Sequence, residues 1–408
     1  MFPLKTLLNR FVQIGTLEVR DADGNVHVFK GAPGLEVGIH LKDRKLYRSL
    51  FFHPELHAGE AYMDGTLTIE TGTIRDFLTL FMINSRNLRK HPLQRILNRA
   101  QKQFRRFQQR NDTEAARAHV QHHYDLSNEF YRLFLDKDMN YSCAYYTNPK
   151  DTLETAQQNK LRHIASKLYL KPGQRVLDIG CGWGGMALYL AKVADVEVVG
   201  VTLSTQQHAL AQERAKERKL DKRVSFELKD YRHVTGTFDR IVSVGMFEHV
   251  GVIHYDEYFK KIHDLLKPDG VALVHSIGRH TVPSSTASWI RKYIFPGGYS
   301  PALSETLASV ERSGLWVTDI EILRLHYAKT LRAWEERFQS NRAKITTMMD
   351  ERFCRMWEFY LIGSEVTFSH SSHMNFQMQL TKDVHTLPLT RDYLNKAERE
   401  LKAPGGQN

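Results

Sequence analysis

One ten-residue stretch restricts this chain more than any other feature: Val176-Leu177-Asp178-Ile179-Gly180-Cys181-Gly182-Trp183-Gly184-Gly185. Apolar residues run into clustered glycines, and helical spacing follows from Gly185 to Lys192. Glycine turns tightly and lets a ligand come close to the backbone, so the stretch reads as a buried strand, a binding turn and a helix. Gly180, Gly182 and Gly185 satisfy the GxGxxG spacing, which alone does not separate NAD from other adenosine ligands. Two neighbouring features do. Asp178 sets a carboxylate just before the first glycine, where it would repel a pyrophosphate and suit an amine or cation. The second strand ends in Gly200-Val201-Thr202-Leu203-Ser204, without the acid that holds the ribose in dinucleotide folds, so Thr202 and Gln207 become the ribose candidates.

Strand and helix patterns alternate beyond this point. Gln174 to Ile179, Glu197 to Val201, Phe238 to Val244 and Val271 to Ser276 read as strands, with helical spacing over Gln206 to Lys219 and Tyr255 to Leu266. That alternation predicts an α/β fold with a doubly wound parallel sheet. Trp316 to Arg324 and Asn375 to Leu380 are late strands, expected to close the sheet with an antiparallel edge. Asp230-Tyr231 follows the third strand and offers an acid and an aromatic ring to adenine, and Lys267-Pro268-Asp269-Gly270 turns into the fifth. A ligand with adenosine, an ammonium and a sulfonium but no phosphate fits this set, which points to S-adenosylmethionine. The order of landmarks resembles the class I S-adenosylmethionine-dependent methyltransferases, with their Rossmann-like sheet.

The 408 residues divide by pattern into four parts. Residues 1–85 read as a small mixed α+β domain for lipid binding or dimerisation, with a hairpin about Asp21-Ala22-Asp23-Gly24-Asn25. Residues 86–115 read as a linker helix, 116–395 as the catalytic domain and 396–408 as a tail frayed at Ala403–Asn408. The net charge is +11, and Arg86 to Arg110 alone carries nine Lys/Arg and no acid. Leu93, Ile96, Leu97, Ala100, Phe104 and Phe107 fall on one face of this segment. It reads either as a linker whose cations stay solvated or as a basic helix lying on an anionic membrane. Three cysteines suit a reducing compartment. The longest apolar run, Phe77 to Ile83, is far too short to span a bilayer. A cytoplasmic protein attached peripherally to the inner membrane face is expected.

Several further segments surround the sheet: His123-Tyr124-Asp125-Leu126-Ser127-Asn128-Glu129-Phe130-Tyr131, Asn140-Tyr141-Ser142-Cys143-Ala144-Tyr145-Tyr146, Gly245-Met246-Phe247-Glu248-His249-Val250-Gly251, His275-Ser276-Ile277-Gly278 and Tyr327-Ala328-Lys329-Thr330-Leu331-Arg332-Ala333-Trp334. Together with His53-Pro54-Glu55-Leu56 and Gly59-Glu60-Ala61-Tyr62, they resemble the cyclopropane-fatty-acyl-phospholipid synthases and their mycolic-acid-modifying relatives, over roughly residues 50 to 385. The resemblance implies addition of the sulfonium methyl carbon across a cis double bond in a membrane phospholipid. The resulting carbocation loses a proton to a bound bicarbonate as the ring closes. Carried over by motif position, the bicarbonate holders are Glu248, His275 and Tyr327, with backbone groups of Cys143 and Ile277. Tyr141, Ser142, Gly180, Gly182, Thr202, Gln207 and Tyr231 are implied to hold S-adenosylmethionine, beside Asp178 and Asp230. A homodimer through the N-terminal domain is implied as well.

Other readings of these residues compete. Cys143 could be a nucleophile, but the implied chemistry forms no enzyme adduct and cysteine is commonly a small buried hydrophobe. His119, His122 and His123, and His370 with His373, lack the acids or cysteines that complete a metal site, so no metal is expected. Arg279 to Pro301, with Trp289, Ile290, Tyr293, Ile294 and Phe295, is composed for a lid over an acyl chain or for an ordinary covering helix. The same chemistry could end in a methyl-branched chain. A nucleic-acid methyltransferase is motivated by the charge, but no Asn-Pro-Pro-Tyr-like or Pro-Cys motif supports it, and no nucleic-acid partner is expected.

Overall fold

Side chains alternate across a strand, and in a sheet covered on both faces each strand must therefore be apolar at successive positions. The computed structural model, which describes residues 1–88 and 126–401, shows this in its larger sheet. Leu177, Ile179, Ile241, Ala272 and Val274 enter one core, while Val176, Val242 and Leu273 enter a second. Helices Tyr255–Leu265 and Leu303–Ser313 close the first core; Leu153–Lys167, Gly185–Val193 and Thr205–Glu217 close the other.

The chain forms two compact units, one from the described residues within 1–108, 284–296 and 331–372, the other from those within 109–283, 297–330 and 373–408. The first carries β1 (Ile14–Arg20), β2 (Val26–Lys30), β3 (Ala32–Leu41) and β4 (Leu67–Thr71) in the order β2-β1-β3-β4. The expected hairpin is β1–β2, antiparallel, while β1 and β3 run parallel.

This unit takes in segments far along the chain, for reasons visible at single residues. Gly59 leaves room for the Trp289 ring, which a Cβ at that position would meet at 2.4 Å. Trp289 is buried and also packs on Phe359, with ring centroids 4.8 Å apart. Glu60 accepts from Lys292 Nζ at 2.6 Å and from the Tyr293 hydroxyl at 2.9 Å. The helix Ser288–Tyr293, part of the stretch expected as a lid, is thus seated within the N-terminal unit by the Gly59-Glu60 motif. Arg75 likewise joins Glu335 at 2.7 Å and pairs with Glu365.

The second unit carries β5 (Arg175–Ile179), β6 (Glu197–Thr202), β7 (Val224–Leu228), β8 (Phe238–Val244), β9 (Leu266–Arg279), β10 (Trp316–Ile322) and β11 (His373–Thr381), in the order β10-β11-β9-β8-β5-β6-β7. Strands β5 to β9 pair in parallel. The expected antiparallel edge is β10–β11, with β11 also antiparallel to β9. Strand order reverses between β5 and β8, and ligands of such sheets bind outside the strand ends at that point.

The basic segment Arg86–Arg110 lies almost wholly outside the described residues, as do His119, His122, His123 and 402–408. Among the described residues no helix is long and apolar enough to cross a membrane, and no group of three or more His, Cys, Asp or Glu could hold a metal ion.

Candidate active site

A cavity of about 1250 Å³, counting its open mouth, sits where β5, β6 and β8 end. All nine residues expected around the cofactor line it: Tyr141, Ser142, Asp178, Gly180, Gly182, Thr202, Gln207, Asp230 and Tyr231. Gly180 and Gly182 have φ of +78° and +54°, a conformation open to glycine. A Cβ on Gly180 would strike Met246 at 2.8 Å, whereas one on Gly182 would meet nothing. The first glycine therefore serves the turn and its packing; the second keeps a stretch of backbone bare.

Polar groups around the cavity are placed for donors and acceptors. Burial pushes the Asp178 carboxyl up to about 7 against the pull of Lys160, and its Oδ2 has no hydrogen-bond partner. Thr202 Oγ1 donates to Gln207 Oε1 at 2.9 Å, which turns the Gln207 amide nitrogen into the donor end. Asp230 departs from the simple picture of an acid waiting for adenine. Its two oxygens accept from Arg232 at 2.7–2.9 Å, so a neighbouring arginine holds the carboxylate in place.

The five residues expected to hold bicarbonate do not line this cavity, but Glu248 directly precedes His249, which does. Glu248 is buried; its Oε1 accepts from the Ile277 amide at 2.6 Å, and its Oε2 has no partner. The Ile277 N–H is therefore engaged within the group. Burial raises the Glu248 carboxyl to about 7. His275 stands two residues before Ile277 on β9, on the same face, and Gly245 N donates to its carbonyl at 2.9 Å. Burial, then the charges of Lys160, Lys167 and His163, push its imidazole down to about 3, so the ring is neutral over the working pH range.

Cys143 and Tyr327 reach one another's neighbourhood through their loops. Ala144 N donates to Thr330 Oγ1 at 3.1 Å and Tyr146 N to His326 Nδ1 at 3.0 Å, which ties the loop carrying Cys143 to the helical turn carrying Tyr327. Both side chains are buried. Burial holds the Cys143 thiol far above its ordinary value, the wrong direction for a nucleophile.

Sequence reasoning missed Lys160. It is fully buried, lines the cavity, donates to Asn140 Oδ1 at 3.2 Å and to Ser142 Oγ at 3.1 Å, and is brought by burial down to about 8. The signal available was the spacing of Lys160, His163 and Lys167 on one face of the helix, shared with Leu161 and Ile164.

Residues 111–378 match the family model "Mycolic acid cyclopropane synthetase". The chain is 37% identical over 382 residues to "Probable fatty acid methyltransferase" of Pseudomonas putida, which covers 91% of this chain and 94% of that one. It is 41% identical over 325 residues to "Cyclopropane-fatty-acyl-phospholipid synthase" of Escherichia coli K12, covering 79% and 82%. Among solved structures, mycolic acid cyclopropane synthase CmaA1 complexed with SAH and CTAB is similar with a TM-score of 0.62 at 35% identity, over 65% of this chain and 97% of that one.

Proposed function

The chain belongs to the mycolic acid cyclopropane synthetase family and is an S-adenosylmethionine-dependent one-carbon transferase; from that premise we propose that it forms cyclopropane rings at cis double bonds in acyl chains of anionic membrane phospholipid. The E. coli relative's name supports the phospholipid substrate.

S-adenosylmethionine supplies a methyl carbon activated by its sulfonium. The residues present suit it: Asp178, with an unpartnered buried oxygen, would take the ammonium, Thr202 and Gln207 the ribose hydroxyls, and Tyr231 the adenine, with Asp230 beside it. Gly180 and Gly182 keep the approach open, and Tyr141 and Ser142 line the facing wall.

Adding that carbon to an alkene leaves a cation on the acyl chain, and the chain must lose a proton without meeting water. Bicarbonate held beside Glu248 supplies the base. Glu248, fixed by the Ile277 amide, would hold the bicarbonate hydroxyl through Oε2, and His275 and Tyr327 would supply donors to its oxyanion. A backbone group of Cys143 would complete the holders, its buried thiol staying protonated. A carboxyl kept near neutrality by burial repels an adjacent anion less than a fully ionised one. The observation that carries this reading is the buried Glu248 carboxyl with one oxygen fixed and the other unpartnered, on the loop that also lines the cofactor cavity.

The positive charge favours an anionic surface, so the enzyme works on the inner face of the membrane as a peripheral protein, and as a homodimer. The test is incubation with vesicles of cis-unsaturated anionic phospholipid and methyl-labelled S-adenosylmethionine, followed by acyl-chain mass spectrometry. The expected product gains one CH₂ and keeps its hydrogen deficiency. A chain that gains two further hydrogens, given a reductant, supports the methyl-branched reading that the P. putida relative's name favours. Label absent from lipid overturns both.

A further inference from the structure

Three strands bring polar side chains into one row. Across the β11–β9 ladder Gln377 faces His275, and across the β10–β11 ladder it faces Glu321. The last turn of the helix Leu153–Lys167 covers the row with Lys167, buried like Gln377 and His275. Lys167 Nζ hydrogen-bonds to Glu321 and donates to Gln377 Oε1 at 2.8 Å. Gln377 Nε2 lies 3.1 Å from His275 Nδ1. One turn back, His163 joins Glu321 at 2.6 Å and also pairs with Glu398.

An ammonium has donors only, so Lys167 fixes which end of the Gln377 amide is oxygen. The NH₂ end then faces the ring, and Nδ1 can only accept. We propose that Lys167 and Gln377 are positioning residues that lock His275 into the tautomer carrying its proton on Nε2. In the base-site reading above, on which the functional part of this inference rests, that proton is the donor offered to the bound anion. Asn375 Nδ2 stands 3.5 Å from Nε2, too far to hold that position strongly. The low proton affinity of the buried ring agrees with a neutral imidazole. The charged groups facing it are Lys160, His163 and Lys167 from the helix and Glu321 from β10. Glu321 is itself brought to about 2, because His163 and Lys167 outweigh its burial, so the row stays charge-paired around a neutral histidine.

The test is Gln377→Glu, which keeps shape but sets an acceptor against Nδ1. Its readout is the His275 tautomer by histidine-selective ¹⁵N NMR, assigned with His275→Asn, alongside kcat against pH. Wild type is expected to hold the proton on Nε2. Gln377→Glu is expected to move it to Nδ1 or protonate both nitrogens, to lower kcat roughly tenfold or more, and to introduce an acid-side dependence, with S-adenosylmethionine affinity unchanged. Lys167→Met, which leaves β11 intact, is expected to give a mixture of tautomers and an intermediate kcat. A wild-type proton on Nδ1, or an unchanged tautomer in both variants, overturns the inference whatever the bicarbonate dependence. Full turnover in bicarbonate-depleted buffer with the Nε2 proton in place overturns the base-site reading and leaves the lock standing.

Discussion

The cofactor cavity and the cluster about His275 lie in the same unit but are made by opposite means. The cavity is built from strand ends and bare backbone: Gly180 and Gly182 at positive φ, Thr202 and Gln207 bonded to each other, and an open mouth. The cluster is built from His275 and Gln377 in mid-strand, Lys167 at a helix end and Glu248 on a turn, all buried and each hydrogen-bonded to another element. The first arrangement tolerates a ligand that enters and leaves with every turnover. The second rigidly presents a few donors and acceptors, as electrostatic stabilisation requires.

If the two regions divide binding from proton transfer, variants should separate them. The largest effect is expected from Glu248→Gln and His275→Ala: turnover falls roughly 10²–10⁴-fold while calorimetric S-adenosylmethionine affinity holds. Weakened cofactor binding as their main defect would merge the two regions. Next is Gly180→Val, which sets a Cβ against Met246 at a left-handed φ; cofactor affinity should drop roughly 10- to 100-fold, with the His275 tautomer unmoved.

A third effect is in stability against pH. Glu248 has its ordinary value of 4.5 raised to about 7 on folding, and Asp178 has 3.8 raised to about 7. Between those values the folded state retains a proton that the unfolded chain has released, so stability falls as pH rises through each window. Glu248→Gln and Asp178→Asn should each gain on wild type across its window in urea titrations. Saturating S-adenosylmethionine should abolish the gain for Asp178→Asn and leave that of Glu248→Gln; loss of both would break the comparison. The smallest effect is Thr202→Val, which removes one hydroxyl bond and should weaken cofactor binding about 2- to 10-fold, with turnover at saturation unchanged.

The same contrast governs what could be read before the structure. A glycine needed at positive φ announces itself in the sequence, and the strand-turn-helix at Val176–Gly185 placed the cavity and its parallel sheet. The late antiparallel edge was legible for a similar reason, since Trp316 to Ile322 is rich in β-branched and aromatic residues and Asn375 to Leu380 alternates polar with apolar side chains. A histidine inside a strand announces nothing alone: His275 gains meaning only from Gln377, about a hundred positions later, and from Lys167 on a helix where a lysine normally faces water. Composition leaves the helix Ser288–Tyr293 open as a lid or a covering helix because it reports that the segment is aromatic, not that Gly59 leaves a seat for Trp289.

Strand β11 adds a consequence in time. After β10 the chain leaves for the other unit, lays down three helices, and only then returns to insert residues His373–Thr381 between β10 and β9. On the ribosome, β9 and β10 therefore emerge well before the strand that separates them, and the edge of β9 that β11 covers stays unpaired until His373–Thr381 is made. A nascent chain stalled before residue 373 would already hold every glycine of its cofactor pocket, yet lack the amide that orients its histidine.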